Sequence, residues 1–101
     1  MTDPTQIIVV ELQYTSDDLS KVDALIDAHM AFVDAQYKAG IFLASGPKVP
    51  RTGGVILAKG TDVDTIAALM KQDPLLIEGV ATYRYTAFLP RRTDAEAFAA
   101  L

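Results

Sequence analysis

The chain reads as an α+β domain of the ferredoxin-like kind. The expected order is β-α-β-β-α-β, with both helices on one face of a four-stranded antiparallel sheet. Three observations carry that expectation. A β-branched run near the N-terminus is apolar on both of its alternating faces, two stretches repeat their apolar residues at helical spacing, and glycine- and proline-rich breaks separate three further strand-like runs. With 101 residues, half of them hydrophobic and 22% charged, a single domain over 1–101 is expected, with a core of about 7–90 and a tail of 91–101.

Each element has its own signal. In "QIIVVELQY" (6–14), Ile8, Val10 and Leu12 alternate with Ile7, Val9 and Glu11, which predicts a buried, central strand. Ser16, Asp17 and Asp18 supply capping oxygens for a long helix. Its stripe is Leu19, Val22, Leu25, Ile26, Phe32, Val33 and Tyr37, and Gly40 ends it. "IFLAS" and "GVILAK" read as two strands, the first broken at Gly46-Pro47 because proline lacks a donor. Thr61 with Asp64 resembles a capping box that opens a second helix. Ile66, Leu69 and Met70 form its stripe, and Pro74 ends it by disfavouring helical geometry at Asp73. "VATYRYTAFL" alternates as a last strand, and "RRTDAEAFAAL" is a short helix candidate.

Composition removes several function classes. A net charge of −4 argues against a nucleic-acid partner, which calls for a basic face, and equally against an anionic membrane surface. No apolar stretch approaches the roughly 18 to 20 residues of a membrane span, and "MTDPTQ" has no signal-peptide pattern, so a cytoplasmic protein is expected. Cysteine is absent, which excludes disulfides and thiolate chemistry. One histidine with scattered carboxylates gives no metal-ligand spacing, so no metal site is expected. Neither a P-loop nor a dinucleotide fingerprint occurs, and no cofactor is expected. An apolar second sheet face predicts a homodimer by sheet-to-sheet packing.

What remains for chemistry is His29, alone of its type, with apolar neighbours one turn away on either side. Asp34 lies roughly 140° round the helix from it and should not meet the ring. Asp73 stands at the end of the second helix, beside the first. Ser45 is a nucleophile only where a base adjoins it. Each residue also has an ordinary reading. A histidine on an apolar face is often a hydrogen-bonded core group, and Asp before Pro is a routine turn. Ser45-Gly46-Pro47 is a common strand ending, Lys48 and Arg51 fit a solvated loop, and Tyr83 with Tyr85 fits sheet packing.

Taken together, "AHMAFVDAQYKAG", "IFLASGP", "GGVILA", "QDPLLIEGV" and "YRYTAFLP" resemble the YciI-like (YCII) family of the dimeric α/β-barrel superfamily. The resemblance implies a ferredoxin-like protomer that pairs into a dimeric α/β barrel. It also implies a His-Asp active site, with the family's helix histidine on His29 and its Asp-Pro aspartate on Asp73. The family's strand-ending Gly-Pro falls on Gly46-Pro47, which with Ser45 and Lys48 makes the expected substrate-binding set. Related enzymes include a cofactor-independent dehydrochlorinase of chlorinated hydroxyquinols. Many members carry an arginine three residues before the histidine, where this chain has Ile26. That leaves Lys48, Arg51 or Arg84 to take an anion.

The expected function is a cofactor-independent lyase or isomerase with a His29–Asp73 acid/base pair and a small, cyclic or aromatic ligand. Leu25, Phe32 and Tyr37 are the expected apolar lining. The alternatives are a non-catalytic small-molecule-binding dimer and a cofactor-free oxygenase of the same superfamily.

Overall fold

In the computed structural model, which describes residues 5–98, β1 (Gln6–Tyr14) lies inside an antiparallel sheet of order β2-β3-β1-β4. β3 (Gly53–Gly60) pairs with it on one side and β4 (Ala81–Phe88) on the other, while β2 (Phe42–Pro47) forms the far edge beyond β3. The central position follows from its sequence. Ile8, Val10 and Leu12 point to the helices and are almost completely buried, and they stand in register with Ala58, Ile56 and Gly54. Across the other ladder Leu12 faces Tyr83 and Val10 faces Tyr85.

The helical layer covers that face alone. α1 (Ser20–Lys38) contributes Val22 and Val33 to the core, α2 (Val63–Met70) contributes Ile66 and Met70, and the four-residue α3 (Pro74–Ile77) contributes Leu75. Each such side chain yields about 1.5–3 kcal/mol on burial. On the opposite sheet face Val9, Val55 and Leu57 are half-buried, and Thr82, Arg84 and Thr86 are exposed.

The ends of the elements refine the sequence expectations. α1 begins at Ser20 after Leu19, which has no side-chain cap. Asp18 Oδ1 instead accepts from the Ser20 N–H, and Ser16 Oγ accepts from the Asp18 N–H. Gly40 does end α1. It sits at φ 75°, its N–H donates to the Tyr37 carbonyl and the Ile41 N–H to that of Gln36, a Schellman closure that an L side chain would strain.

Four expectations are corrected. The cap of α2 is Asp62, whose side chain accepts from the Thr65 N–H, and not Thr61. Pro74 does not close α2, which stops at Met70; it opens α3 as the first helical residue, where its missing N–H costs nothing. Asp73 before it is extended, as its neighbour demands. Gly46-Pro47 does not break β2, because both residues pair with β3 (Gly46 with Val55, Pro47 with Gly54). An edge strand tolerates proline when the vacant donor position faces outward. The tail forms a turn at residues 95–98, with Asp94 Oδ1 accepting from Glu96 and Ala97, and no helix over 91–98; residues 99–101 lie outside the described part. Among the described residues no helix is long and apolar enough to cross a membrane.

Among the described glycines, Gly53 leaves the least room for a side chain. A Cβ built there would overlap the Leu12 carbonyl, whereas one at Gly46 would meet nothing within 4 Å. Gly53→Ala should therefore lower the stability to urea unfolding by about 1–3 kcal/mol, the usual cost of overpacking. Gly46→Ala should stay within about 0.5 kcal/mol of the native chain.

Candidate active site

The short α3 exists to hold one side chain. Asp73 is its N-cap, and Oδ1 accepts from the Leu75 N–H at 3.1 Å. Gly79, at φ 69°, closes the same turn, with its N–H on the Leu76 carbonyl and the Val80 N–H on that of Leu75. So fixed, the carboxyl group has no exposure at all. Two more donors reach it. His29 Nδ1 lies 2.8 Å from Oδ1, and the Tyr83 hydroxyl donates to Oδ2.

This geometry selects the imidazole tautomer. A carboxylate only accepts, so the Nδ1 that faces it carries the proton, and Nε2 keeps its lone pair. The His29 side chain is 12% exposed, and its ring forms part of a cavity wall. Nε2 hydrogen-bonds to none of the described residues. No buried side-chain polar atom among the described residues is left unpaired, and both oxygens of Asp73 are engaged.

Tyr83 is the member that sequence reasoning missed, having been read as packing. Its signal was the strand alternation that groups it with Ala81 and Tyr85, since the β1–β4 register turns that set toward the helices. Burial raises the Tyr83 phenol far above its usual value, and the Asp73 hydrogen bond and charge push it the same way. Tyr85 is raised too, again by burial first and then by the Asp73 charge.

The cavity beside His29 has a volume of about 350 Å³. Helix α1 lines it with Ile26, Met30 and Val33, and the β2–β3 hairpin with Ser45, Gly46, Pro47 and Arg51. The expected lining by Leu25, Phe32 and Tyr37 is not realised. Relative to His29, Ile26, Val33 and Met30 lie about 40–100° to one side of the helix, and Leu25 and Phe32 about 40–60° to the other. Phe32 and Tyr37 instead stand edge-on to Phe42, with ring centres 6.2 and 6.0 Å away.

Of the expected substrate-binding set, Ser45, Gly46 and Pro47 are on the cavity wall. Ser45 Oγ pairs with the Tyr37 hydroxyl at 2.7 Å, so its partner is not a base. Lys48 is elsewhere. Its ammonium donates to Glu11 Oε1 at 2.7 Å and Gln13 Oε1 at 3.1 Å, on the sheet face opposite Val10 and Leu12. There it holds the Glu11 carboxyl below the usual carboxylate range. The described residues contain no group of three or more potential metal ligands.

A ferredoxin-like sheet under a helix histidine that is hydrogen-bonded to a buried carboxylate defines a small α+β domain with one histidine–aspartate pair beside a cavity. More narrowly, a family model for the YCII-related domain matches residues 7–89, and the chain belongs to that family. Among solved structures it is similar to the 5-chloro-2-hydroxyhydroquinone dehydrochlorinase of Burkholderia phenoliruptrix AC1100 in complex with 2,5-dihydroxybenzoquinone. That match has a TM-score of 0.67 and 13% identity, covering 87% of this chain and 93% of the other. It shows a shared fold. No curated protein matches the chain.

The Tyr83–Asp73 bond yields a prediction with a definite sign. The Tyr83 pKa is raised in the folded chain above its ordinary 10.0, so its stabilisation is complete below that pH and fades above it, as the unfolded phenol ionises. Near neutral pH, Tyr83→Phe should cost about 1–3 kcal/mol in urea unfolding, because it strips a donor from a buried carboxylate. The gap from the native chain should narrow as the pH is taken above 10.

Proposed function

We propose that this protein is a cofactor-independent lyase or isomerase in which His29 and Asp73 act as an acid/base pair on a small cyclic or aromatic substrate. One observation carries the reading: His29 has Nδ1 bound to a fully buried carboxylate while its ring borders a largely apolar cavity. The orientation by Asp73 leaves Nε2 as the base. Nε2 takes a proton from a substrate carbon or hydroxyl, and the released electron pair moves into the ring. In an elimination the bond to a leaving group then breaks and the group departs as its anion. In an isomerisation the proton returns at another carbon. Throughout, Asp73 faces the imidazolium and stabilises its charge.

Two further points support this class over others. Ser45 is paired with a phenol and not with a base, which disfavours acyl transfer. The structurally similar dehydrochlorinase acts on a chlorinated hydroxyhydroquinone, which favours elimination on an oxygenated ring for this chain as well. The same reading extends to assembly. The uncovered sheet face, apolar at Val9, Val55 and Leu57, packs on a second copy to make a twofold dimer. Sedimentation at micromolar concentration should give a dimer, and Leu57→Asp should shift it to monomer.

The deciding experiment is anaerobic turnover of a panel of chlorinated and hydroxylated phenols and quinols, followed by halide release and ring absorbance. The native chain should turn over at least one member, and His29→Gln should lose about 10²–10⁴-fold, the range of general acid–base catalysis. Asp73→Asn should fall in the same direction. Saturable binding without turnover, unchanged in His29→Gln, would replace the enzyme by a binding module. A strict requirement for oxygen would make it an oxygenase.

A further inference from the structure

The cavity is electrically one-sided. The chain carries a net charge of −4, yet no carboxylate is among the described residues that line the cavity. Asp73 lies behind His29 and is sealed from it. Of the lining residues only Arg51 bears a permanent charge. Arg51 comes from the β2–β3 connection and reaches toward both β1 and α1. Its guanidinium carbon stands 5.9 Å from the centre of the Tyr14 ring, and Nη2 donates to Asp23 Oδ1 at 2.8 Å. Tyr14 is itself part of the wall.

The Arg51 side chain is 42% exposed and that of Asp23 is 61% exposed, so their ion pair is solvated and exchangeable. A guanidinium has five N–H donors, and the Asp23 bond uses one of them. Tyr14 also acts on the guanidinium, and further N–H groups of the fork are left for a second acceptor. The Tyr14 ring, at the outer range of a cation–π contact, and the Asp23 carboxylate keep the guanidinium at the cavity wall.

We infer that Arg51 is the specificity-determining residue of the cavity, and that it selects ring compounds bearing an anionic oxygen, a carboxylate or a phenolate. Tyr14 and Asp23 hold the guanidinium in place, and the apolar side of the ring lies against Ile26, Met30 and Val33. A neutral ring of the same shape keeps the apolar contact and at most a hydrogen bond to a neutral acceptor, without the charge pairing. This subsite rests on the reading of the cavity as a substrate pocket, and it adds the charge of what enters.

Benzoate and its neutral isostere benzamide are the probes. Binding is followed on the native chain by amide shifts of Met30, Gly53 and Gly54, at low and at raised salt. Benzoate should bind at least about tenfold more tightly than benzamide, the scale of a hydrogen-bonded charge, and added salt should weaken that preference. Arg51→Gln should abolish the preference by weakening benzoate binding far more than benzamide binding, and Arg51→Lys should keep part of it. Equal binding of the two probes, an unchanged preference in Arg51→Gln, or no saturable benzoate binding at millimolar concentration would each overturn the inference. Turnover that depends on His29 but shows no anion preference would overturn it while sparing the enzyme reading. An Arg51-dependent preference in a chain without turnover would do the reverse.

Discussion

The buried carboxylate of Asp73 is the constraint on which the rest of the arrangement depends. An ionised group without solvent is costly unless its oxygens are satisfied. Here the donors are the imidazole of α1, a backbone N–H of α3 and a phenol of β4. Each comes from a different element, so one side chain fixes where three elements sit relative to one another. The proline after Asp73 and the left-handed Gly79 hold α3 in the short form that makes this convergence geometrically available. The packing of three elements and the orientation of His29 therefore depend on the same group.

That convergence also orders the chemistry. Nδ1 of the imidazole is committed to Asp73, and Nε2 has no partner among the described residues. Two hydrogen-bonded pairs with different physics involve residues of the cavity wall. The Arg51–Asp23 pair is solvated and adds little to folding, which leaves the guanidinium free to exchange partners. The His29–Asp73 pair is shielded and cannot exchange. One wall of the cavity thus holds an imidazole tied to a buried group, and another holds a guanidinium whose partner is exposed.

Much of this was legible in the chain itself. The element order, the central place of β1 and the left-handed stop at Gly40 all follow from local patterns whose physics is short-ranged. Residue identity marked out His29 and Asp73, but their contact joins positions 44 residues apart and came from the family resemblance, not from spacing. α3 escaped notice because four residues are too few to show a periodicity, and its proline reads equally as a stop or a start. Tyr83 escaped because alternation says which residues share a face without saying which face meets the helices. The lining was misassigned for a similar reason. A broad apolar stripe has two flanks, and only the packing of α3 against α1 decides which flank is left for the cavity.

The two edges of the sheet are not equivalent, and the difference governs how the molecule can grow. In β2 the Lys48 N–H points inward to the Gly53 carbonyl, so strand alternation turns the nitrogen of Pro47 outward, where no hydrogen exists to offer. A register shift between Phe42 and Ala44 further disturbs that rim. The opposite rim, β4, runs in unbroken register with β1 for eight residues. A fifth strand arriving from another chain therefore finds a competent template along β4 and a defective one along β2. Propagation into an open-ended ribbon needs both rims, and the proline that helps shape the cavity also denies it one of them.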